Sequence, residues 1–358
     1  IIFLILNIVY TYYKLFGFEN NTIFNNIIKN NKNNNKFIPY PSINDNNFNN
    51  IINSKEEFKK YKAKTLENVD INDICSSKNK TEYHKLQNHQ KILRNYINPH
   101  TPYNNLLIFH GTGAGKTCAA ISIAENHISN IENFPKVLII YNSTTIRDNF
   151  RKELYNFSKE EYELQNNLTI GSKQCTGDRY YVEPKDNIDE EERQKKVFKN
   201  IKKYYEFKST TDIVNDIKKI KKRVKDITTE QTKSENLEKS FISNEYDNRL
   251  IIIDECHTLK KSYDSGNSDE SLLSEDDDDD SIKSIDALEL IIKQSSNIKL
   301  ILMSATPMHD KPNEIIDLFK FFLLNQKKDI LNESDIFNEN NKNITIKKEG
   351  YNILKDIS

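Results

Sequence analysis

A glycine-rich turn between an apolar strand and a helix is the feature that most constrains the fold of this 358-residue chain. Its glycines let backbone N–H groups converge on an anion, and the following helix adds the positive end of its dipole. Lys116 supplies a cation for phosphates and Thr117 a hydroxyl for Mg²⁺. A nucleoside triphosphate site is therefore predicted, although a strict phosphate-loop pattern has glycine where this chain has His110. The turn residues after His110 are Gly111, Thr112, Gly113, Ala114 and Gly115.

A second apolar strand, at residues 250–253, ends in the adjacent carboxylates Asp254 and Glu255. Asp254 is suited to hold Mg²⁺ directly or through water, and Glu255 to orient and deprotonate an attacking water. We expect Cys256 to be a small buried side chain rather than a nucleophile. His257 is predicted to face a third motif as a relay rather than to bind a metal.

That third motif is a strand at residues 299–303 followed by Ser304, Ala305 and Thr306. The hydroxyls of Ser304 and Thr306 are placed to hydrogen-bond the carboxylates or His257, and so to report the nucleotide state. A plain turn at a strand end is the alternative for this motif taken alone.

Short apolar runs alternate with amphipathic helical stretches between residues 86 and 303, which is typical of βα units on a parallel sheet. The pattern predicts an α/β fold with a mostly parallel, doubly wound sheet and ligands at the carboxyl ends of its strands. Candidate strands are residues 106–109, 137–141, 205–207, 250–253 and 299–303. Candidate helices are residues 86–97, 116–129, 145–157, 212–224, 284–293 and 313–324.

The ends of the chain differ from this pattern. Residues 1–19 are apolar but too interrupted for the roughly 18 to 20 residues that span a bilayer, and they lack signal-peptide features. Residues 20–50 are rich in asparagine, which predicts a disordered low-complexity linker, and residues 327–358 form a polar tail. Because the first residue is Ile rather than Met, we expect the chain to be a fragment of a longer reading frame.

The core domain is expected at residues 51–326, with two insertions. The first, at about 158–247, is charged and mostly helical. The second, at about 262–281, contains the acidic run 275–280, which predicts a solvated loop.

Charge and cysteine content exclude some classes of protein. Lys and Arg number 52 against 53 Asp and Glu, so any basic groove for nucleic acid must be local. The 4 cysteines are far apart in sequence, which predicts neither a zinc site nor a disulfide framework and favours a reducing compartment.

Taken together, the motifs resemble those of superfamily 2 helicases. Residues 110–117 resemble motif I, residues 254–257 the DExH box, and residues 304–306 motif III. Gln90 resembles the upstream glutamine that reads adenine, and Ser143 and Thr144 resemble the part of motif Ia that contacts the nucleic-acid backbone. An ordinary βα loop is the alternative for Ser143 and Thr144. The continuation at residues 306–318 is similar to the transcription-associated helicase and nucleoside triphosphate phosphohydrolase I group of large DNA viruses, and to Snf2-type translocases.

This resemblance implies a RecA-like domain that binds and hydrolyses ATP with Mg²⁺ and contacts DNA or RNA. It also implies partners in viral transcription, a location in the cytoplasm, the viral factory or the virion, and neither secretion nor a membrane contact. Motors of this family carry a second RecA-like domain, and too few residues follow Thr306 to hold it, so we expect that domain to be missing here.

Two other functions remain open from the sequence. One is a phosphate-loop switch or assembly ATPase that never moves on nucleic acid. The other is a catalytically inactive scaffold.

Overall fold

The computed structural model describes residues 40–61, 86–111, 113–172, 174–184, 189–259, 282–308, 314–331, 333–340, 343–347 and 350. Four sequence predictions lie outside these residues, in whole or in large part: the apolar segment 1–19, the linker 20–50, Thr112 and the acidic insertion. Within the described residues, no helix is long and apolar enough to cross a membrane.

The chain divides into two compact units after Glu56. The described part of the first unit contains α1 (Phe48–Ser54), which begins inside the stretch expected to be linker. Lys55 Nζ lies 4.4 Å from the centre of the Tyr40 ring in the same unit. The short helix α2 (Glu56–Lys59) follows.

A five-stranded parallel sheet forms the centre of the second unit, in the order β1-β5-β4-β2-β3. Every strand predicted from the apolar runs is present within two residues of its expected ends, and the predicted α/β class is confirmed. The strands are β1 (Asn105–Phe109), β2 (Val137–Tyr141), β3 (Tyr205–Ser209), β4 (Leu250–Ile253) and β5 (Lys299–Ser304).

Helices connect the strands and pack on the sheet. The helix predicted at 145–157 ends earlier, at Leu154, because the Asn156 side chain accepts hydrogen bonds from the N–H groups of Ser158 and Lys159 and so caps a new helix. The helices are α3 (Asn88–Tyr96), α4 (Lys116–Asn130), α5 (Thr144–Leu154), α6 (Phe157–Gln165), α7 (Glu190–Ile201), α8 (Thr210–Ile227), α9 (Gln231–Tyr246), α10 (Ser284–Gln294) and α11 (Glu314–Asn325).

Alternate residues of the central strands enter one apolar core. In β2 these are Leu138 and Ile140, and in β5 Leu300 and Leu302; all four are essentially inaccessible to solvent. They pack with α8, α9, α10 and α11. The intervening strand residues, such as Ile139, are also buried, so the sheet is covered on both faces, as its continuous apolar runs require.

The first expected insertion, 158–247, contributes more to the sheet than its charge indicated. It contains β3, α8 and α9, and Ile213, Ile217 and Ile242 are buried in the main core. A single apolar stripe on α8 is sufficient for this packing, because the other faces of the helix remain charged and solvated. Only the part before β3 lies outside the βα pattern.

The polar tail also contains regular structure. After α12 (Glu333–Ile336), strands β6 (Phe337–Asn340) and β7 (Asn343–Ile346) form an antiparallel pair. Ile336 and Phe337 are buried against Ile316 of α11, which anchors the pair. These two apolar residues are enough to dock a segment whose composition is otherwise polar.

One expectation about the cysteines is wrong, because Cys118 on α4 is joined to Cys175 by a disulfide. The two residues are 57 positions apart in sequence, yet their Cα atoms lie 5.4 Å apart. The segment holding Cys175 is also tied to α4 by Arg179, whose Nε lies 2.6 Å from Glu125 Oε2. Sequence spacing could not reveal this pair, because packing of the segment before β3 onto α4 creates it.

Reduction of this disulfide should lower the free energy of unfolding by about 2 to 4 kcal/mol, because opening a loop of this length restores entropy to the unfolded chain. The measurement is urea denaturation with and without dithiothreitol. The Cys118→Ser/Cys175→Ser double variant is the control and should be insensitive to dithiothreitol. Equal stability of the oxidised and reduced chains would contradict the prediction.

Candidate active site

The glycine-rich loop leaves β1 at the carboxyl edge of the sheet and leads directly into α4. Gly113 and Gly115 have φ angles of 78° and 79°, where a side chain would strain the backbone. A Cβ atom on Gly115 would also lie only 2.6 Å from Gln90 Nε2. Because α4 begins at Lys116, its first N–H groups lie beside the loop. The loop therefore has the backbone freedom and the helix dipole that a bound phosphate needs.

Gln90 connects α3 to this loop. Its Nε2 donates to the carbonyl oxygen of Gly115 at 3.1 Å, and its Oε1 accepts from the N–H of Gln87 at 2.8 Å. A glutamine amide has two N–H donors and two lone pairs on its oxygen, so one of each remains available. The buried amide is thus held in a fixed orientation beside the loop.

His110, the departure from the strict loop pattern, packs edge-on against His89, with the ring centres 5.2 Å apart. Burial lowers the pKa of His110, and the nearby His89 and Lys116 lower it further. A neutral imidazole fits next to a cationic loop. The ring therefore replaces glycine at this position without adding a competing charge.

The paired carboxylates stand at the end of β4, next to the loop. Burial is the main cause that raises the pKa of Asp254 to about 6; the neighbouring Glu255 adds to it and Lys116 opposes it. Glu255 has a φ of 49°, an uncommon left-handed conformation for a residue other than glycine. Its Oε2 atom is buried without a hydrogen bond among the described residues. These two carboxylates are therefore suited to bind a cation or a water.

A short chain of contacts joins Glu255 to the third motif. His257 Nδ1 lies 2.9 Å from Ser304 Oγ and 3.3 Å from Glu255 Oε2. Ser304 is fully buried, and its Oγ also accepts the N–H of Thr306 at 3.0 Å. The geometry therefore brings together Glu255, His257, Ser304 and Thr306. His257 contacts the third motif as the sequence predicted, and its role as a relay stays a prediction.

The loops after β2 and β3 lie at the same carboxyl edge. Ser143 caps α5 through a hydrogen bond from the N–H of Ile146 at 3.4 Å, and both Ser143 and Thr144 are exposed. Thr210 Oγ1 donates to Asn142 Oδ1 at 3.2 Å and so links the two loops. The sequence prediction missed Thr210; the signal that could have found it is the serine and threonine run directly after the weak strand β3.

Neutralising Asp254 should stabilise the chain in the absence of Mg²⁺ and nucleotide. Its pKa near 6 in the folded chain, against an ordinary 3.8, means that the folded state binds this proton more tightly than the unfolded state. Stability is therefore lost as the pH rises from about 4 through 6, which amounts to roughly 3 kcal/mol at neutral pH. Asp254→Asn should recover most of it in urea denaturation at about pH 7.5, and almost none at about pH 4.

The exposed Asp226 provides the matched control. Asp226→Asn should leave stability unchanged at both pH values, because a surface carboxylate loses little solvation on folding. An Asp254→Asn variant that is less stable than the unsubstituted chain at neutral pH would show that the charge is compensated within the protein.

A parallel α/β sheet with a glycine-rich loop, paired carboxylates and a histidine in contact with the third motif at one edge has the features of the RecA-like ATP-binding domain of superfamily 2 helicases. The family model described as "Type III restriction enzyme, res subunit" matches residues 78–309, which is more than half of the chain. The chain therefore belongs to this helicase family, and it carries the family's ATPase domain.

Several viral proteins are also similar to this chain. The chain is 29% identical over 244 residues to "Putative helicase 087L" of Invertebrate iridescent virus 3, covering 66% of this chain and 20% of the relative. It is 30% identical over 280 residues to "Putative ATP-dependent RNA helicase R563" of Acanthamoeba polyphaga mimivirus, covering 78% and 38%. A 66-residue stretch is 44% identical to "Early transcription factor large subunit homolog" of African swine fever virus, covering 17% and 6%. The chain thus spans between a fifth and two fifths of the length of the two helicase relatives named here.

Proposed function

We propose that this domain binds ATP with Mg²⁺ and hydrolyses it to drive movement along DNA or RNA during viral transcription. The observation that carries the proposal is the position of His257, whose Nδ1 lies 2.9 Å from Ser304 Oγ and 3.3 Å from Glu255 Oε2. A site built only to hold nucleotide has no use for a histidine that joins the proposed hydrolytic carboxylate to the third motif.

In this proposal the loop and Lys116 hold the phosphates, while Thr117 and Asp254 hold Mg²⁺. The fit of the ion is supported by the carboxylate of Asp254, which is buried at the end of β4 and which a cation would stabilise in its charged form. Bound Mg²⁺ would neutralise phosphate charge. Glu255 orients the attacking water and takes its proton through the otherwise unsatisfied Oε2 atom.

Gln90 is proposed to read adenine with the hydrogen-bonding positions that the protein leaves available. Its remaining lone pair accepts the exocyclic N–H of adenine, and its remaining N–H donates to the adjacent ring nitrogen. Guanine carries a carbonyl acceptor in place of this exocyclic N–H donor, so the fixed amide would disfavour it.

The nucleic-acid contact is proposed at Ser143 and Thr144, with Asn142 and Thr210 beside them. The exposed hydroxyls of Ser143 and Thr144 and the exposed amide of Asn142 suit hydrogen bonds to phosphate oxygens, which do not read sequence. Thr210 is buried and holds Asn142. Support for a role in transcription comes from the name of one relative, "Early transcription factor large subunit homolog", and support for RNA from the name "Putative ATP-dependent RNA helicase R563".

The decisive experiment measures ATP turnover by a protein containing this chain, with and without DNA and RNA. We expect nucleic acid to stimulate turnover, and Ser304→Ala to reduce that stimulation by about tenfold while ATP affinity stays near normal, because one buried hydrogen bond of the relay is worth roughly 1 to 1.5 kcal/mol. Ser295→Ala, a buried serine before β5, is the control and should behave as the unsubstituted protein.

Turnover that is robust but unaffected by either nucleic acid would favour a phosphate-loop switch or assembly ATPase. Absence of ATP binding would favour an inactive scaffold. In both cases the proposed function would be wrong.

A further inference from the structure

A cavity of about 1020 Å³ lies beside β3, the strand at one edge of the sheet. It is bounded by the second half of α5, by the start of α6, by α7 and by the first residues of β3. Lys136, which precedes β2, and Tyr205, which begins β3, place it at the amino ends of the strands. The ATP site occupies the carboxyl ends, so this edge cavity is a separate feature.

The open side of β3 presents unpaired backbone groups to the edge cavity. The N–H of Val137 donates to the carbonyl oxygen of Tyr204, and in a parallel ladder this register directs the backbone groups of Tyr205 and Phe207 away from β2. The N–H of Ser209, two residues further along, is already bonded to Asp212. Among the described residues, the N–H and C=O groups of Tyr205 and Phe207 have no hydrogen-bond partner.

Aromatic rings form the apolar wall of the edge cavity. Phe157, Phe198 and Phe207 are half-buried, and the centres of the first two rings are 6.2 Å apart. Tyr155 and Tyr205 lie behind them, fully packed, with their hydroxyls bonded to carboxylates of the protein. The half-buried rings therefore offer surface that an apolar side chain of a ligand would cover.

Basic side chains surround this wall. Lys136, Lys152 and Lys202 are exposed, and the salt bridges of the described residues include none of them. The two carboxylates that line the cavity are already paired: Asp148 with Arg147 at 2.9 Å, and Glu206 with Arg249. The edge cavity therefore carries an uncompensated positive charge.

We infer that the edge cavity binds an extended acidic peptide of a partner protein, which adds to the sheet as a strand beside β3. The backbone of the peptide pairs with Tyr205 and Phe207, alternate apolar side chains cover the phenylalanines, and acidic side chains reach the lysines. Single-stranded nucleic acid would also suit rings and lysines. Its sugar-phosphate backbone, however, has no regular row of donors for the two free carbonyl groups, so the edge favours a peptide.

The test measures binding of a fluorescent ten-residue peptide of alternating glutamate and valine to the whole chain by anisotropy. A ten-residue oligothymidylate is measured in parallel. We expect the peptide to bind, and Lys152→Glu/Lys202→Glu to weaken binding by about tenfold or more. The matched control is Lys195→Glu/Lys199→Glu on α7, which changes the same charge outside the cavity and should have a much smaller effect.

A second pair of variants tests the backbone pairing. Phe207→Pro removes the outward N–H, which an edge strand tolerates, whereas Phe207→Val keeps it. Proline should weaken peptide binding by at least about tenfold more than valine. Hydrogen exchange on the unsubstituted chain is an independent measurement. The amides of Tyr205 and Phe207 should become protected when the peptide is added. This measurement tests strand addition even if the proline variant does not fold.

Several outcomes would overturn the inference. Tight binding of the oligothymidylate without binding of the peptide would make the cavity a nucleic-acid groove. Absence of peptide binding, equal binding by the proline and valine variants, or unprotected amides at Tyr205 and Phe207 would each rule out strand addition.

Discussion

ATP turnover should fall by about 10² to 10⁴-fold when Glu255 is replaced by glutamine, while the affinity for ATP with Mg²⁺ stays near that of the unsubstituted protein. The glutamine keeps the shape of the side chain but cannot accept a proton from water. Glu255 follows Asp254 directly, yet its Oε2 atom is buried, accepts no hydrogen bond from the described residues, and lies 3.3 Å from His257 Nδ1. Its proposed contribution is thus to the hydrolytic step and not to holding the nucleotide.

Single-turnover hydrolysis and equilibrium binding of ATP, measured on the same preparations, separate the two effects. Glu161→Gln on α6 is the matched control, because Glu161 is exposed and, in the described part of the chain, its side chain bonds only Gln165. A loss of binding as large as the loss of hydrolysis would assign Glu255 a structural role. This outcome is a genuine alternative, because a left-handed backbone at a residue other than glycine is held in place by its surroundings.

Lys116→Ala should weaken ATP binding by about 10- to 150-fold, because each charge-assisted contact to a phosphate is worth roughly 1.5 to 3 kcal/mol. The triphosphate keeps its negative charge while the loop loses its cation. Lys116 also lowers the pKa of Asp254, so its removal should make that carboxylate still harder to ionise. Both changes act in the same direction, against binding of ATP with Mg²⁺.

Isothermal titration with a non-hydrolysable ATP analogue measures this affinity. Lys199→Ala on α7 removes an exposed lysine far from the loop and should bind the analogue normally. Unchanged affinity in a folded Lys116→Ala chain would contradict the assignment of the phosphate loop.

The strands and most helices were predictable because their signals are local. An apolar run of four to six residues, such as Leu250–Ile253, is typical of a buried parallel strand. The start of the helix Lys116–Asn130 is marked by the glycine that directly precedes it. The candidate site was predictable for a related reason. Parallel strands carry their carboxyl ends to one edge, so Lys116, Asp254 and Ser304 had to meet there once each was placed at a strand end.

Nonlocal packing explains the predictions that failed or were incomplete. The disulfide of Cys118 depends on where the segment before β3 settles, and no spacing rule encodes a contact across 57 residues. The helical interval 158–247 looked like an insertion because most faces of α8 are charged, although Ile213 and Ile217 reach the core. The tail 327–358 looked uniformly polar, yet two adjacent apolar residues dock it onto α11.

The sequence by itself determined the order of strands and helices, the class of ligand and the residue types at each strand end, because these depend on the spacing of neighbours along the chain. Only the tertiary structure decided how those residues act on one another: the amide of Gln90 held by Gly115, the contact of His257 with Ser304, and the raised pKa of Asp254. The physical reason is that hydrogen bonds and desolvation act over a few ångströms in space. Burial of Asp254 under the surrounding loops, and not its place in the sequence, makes its charge costly.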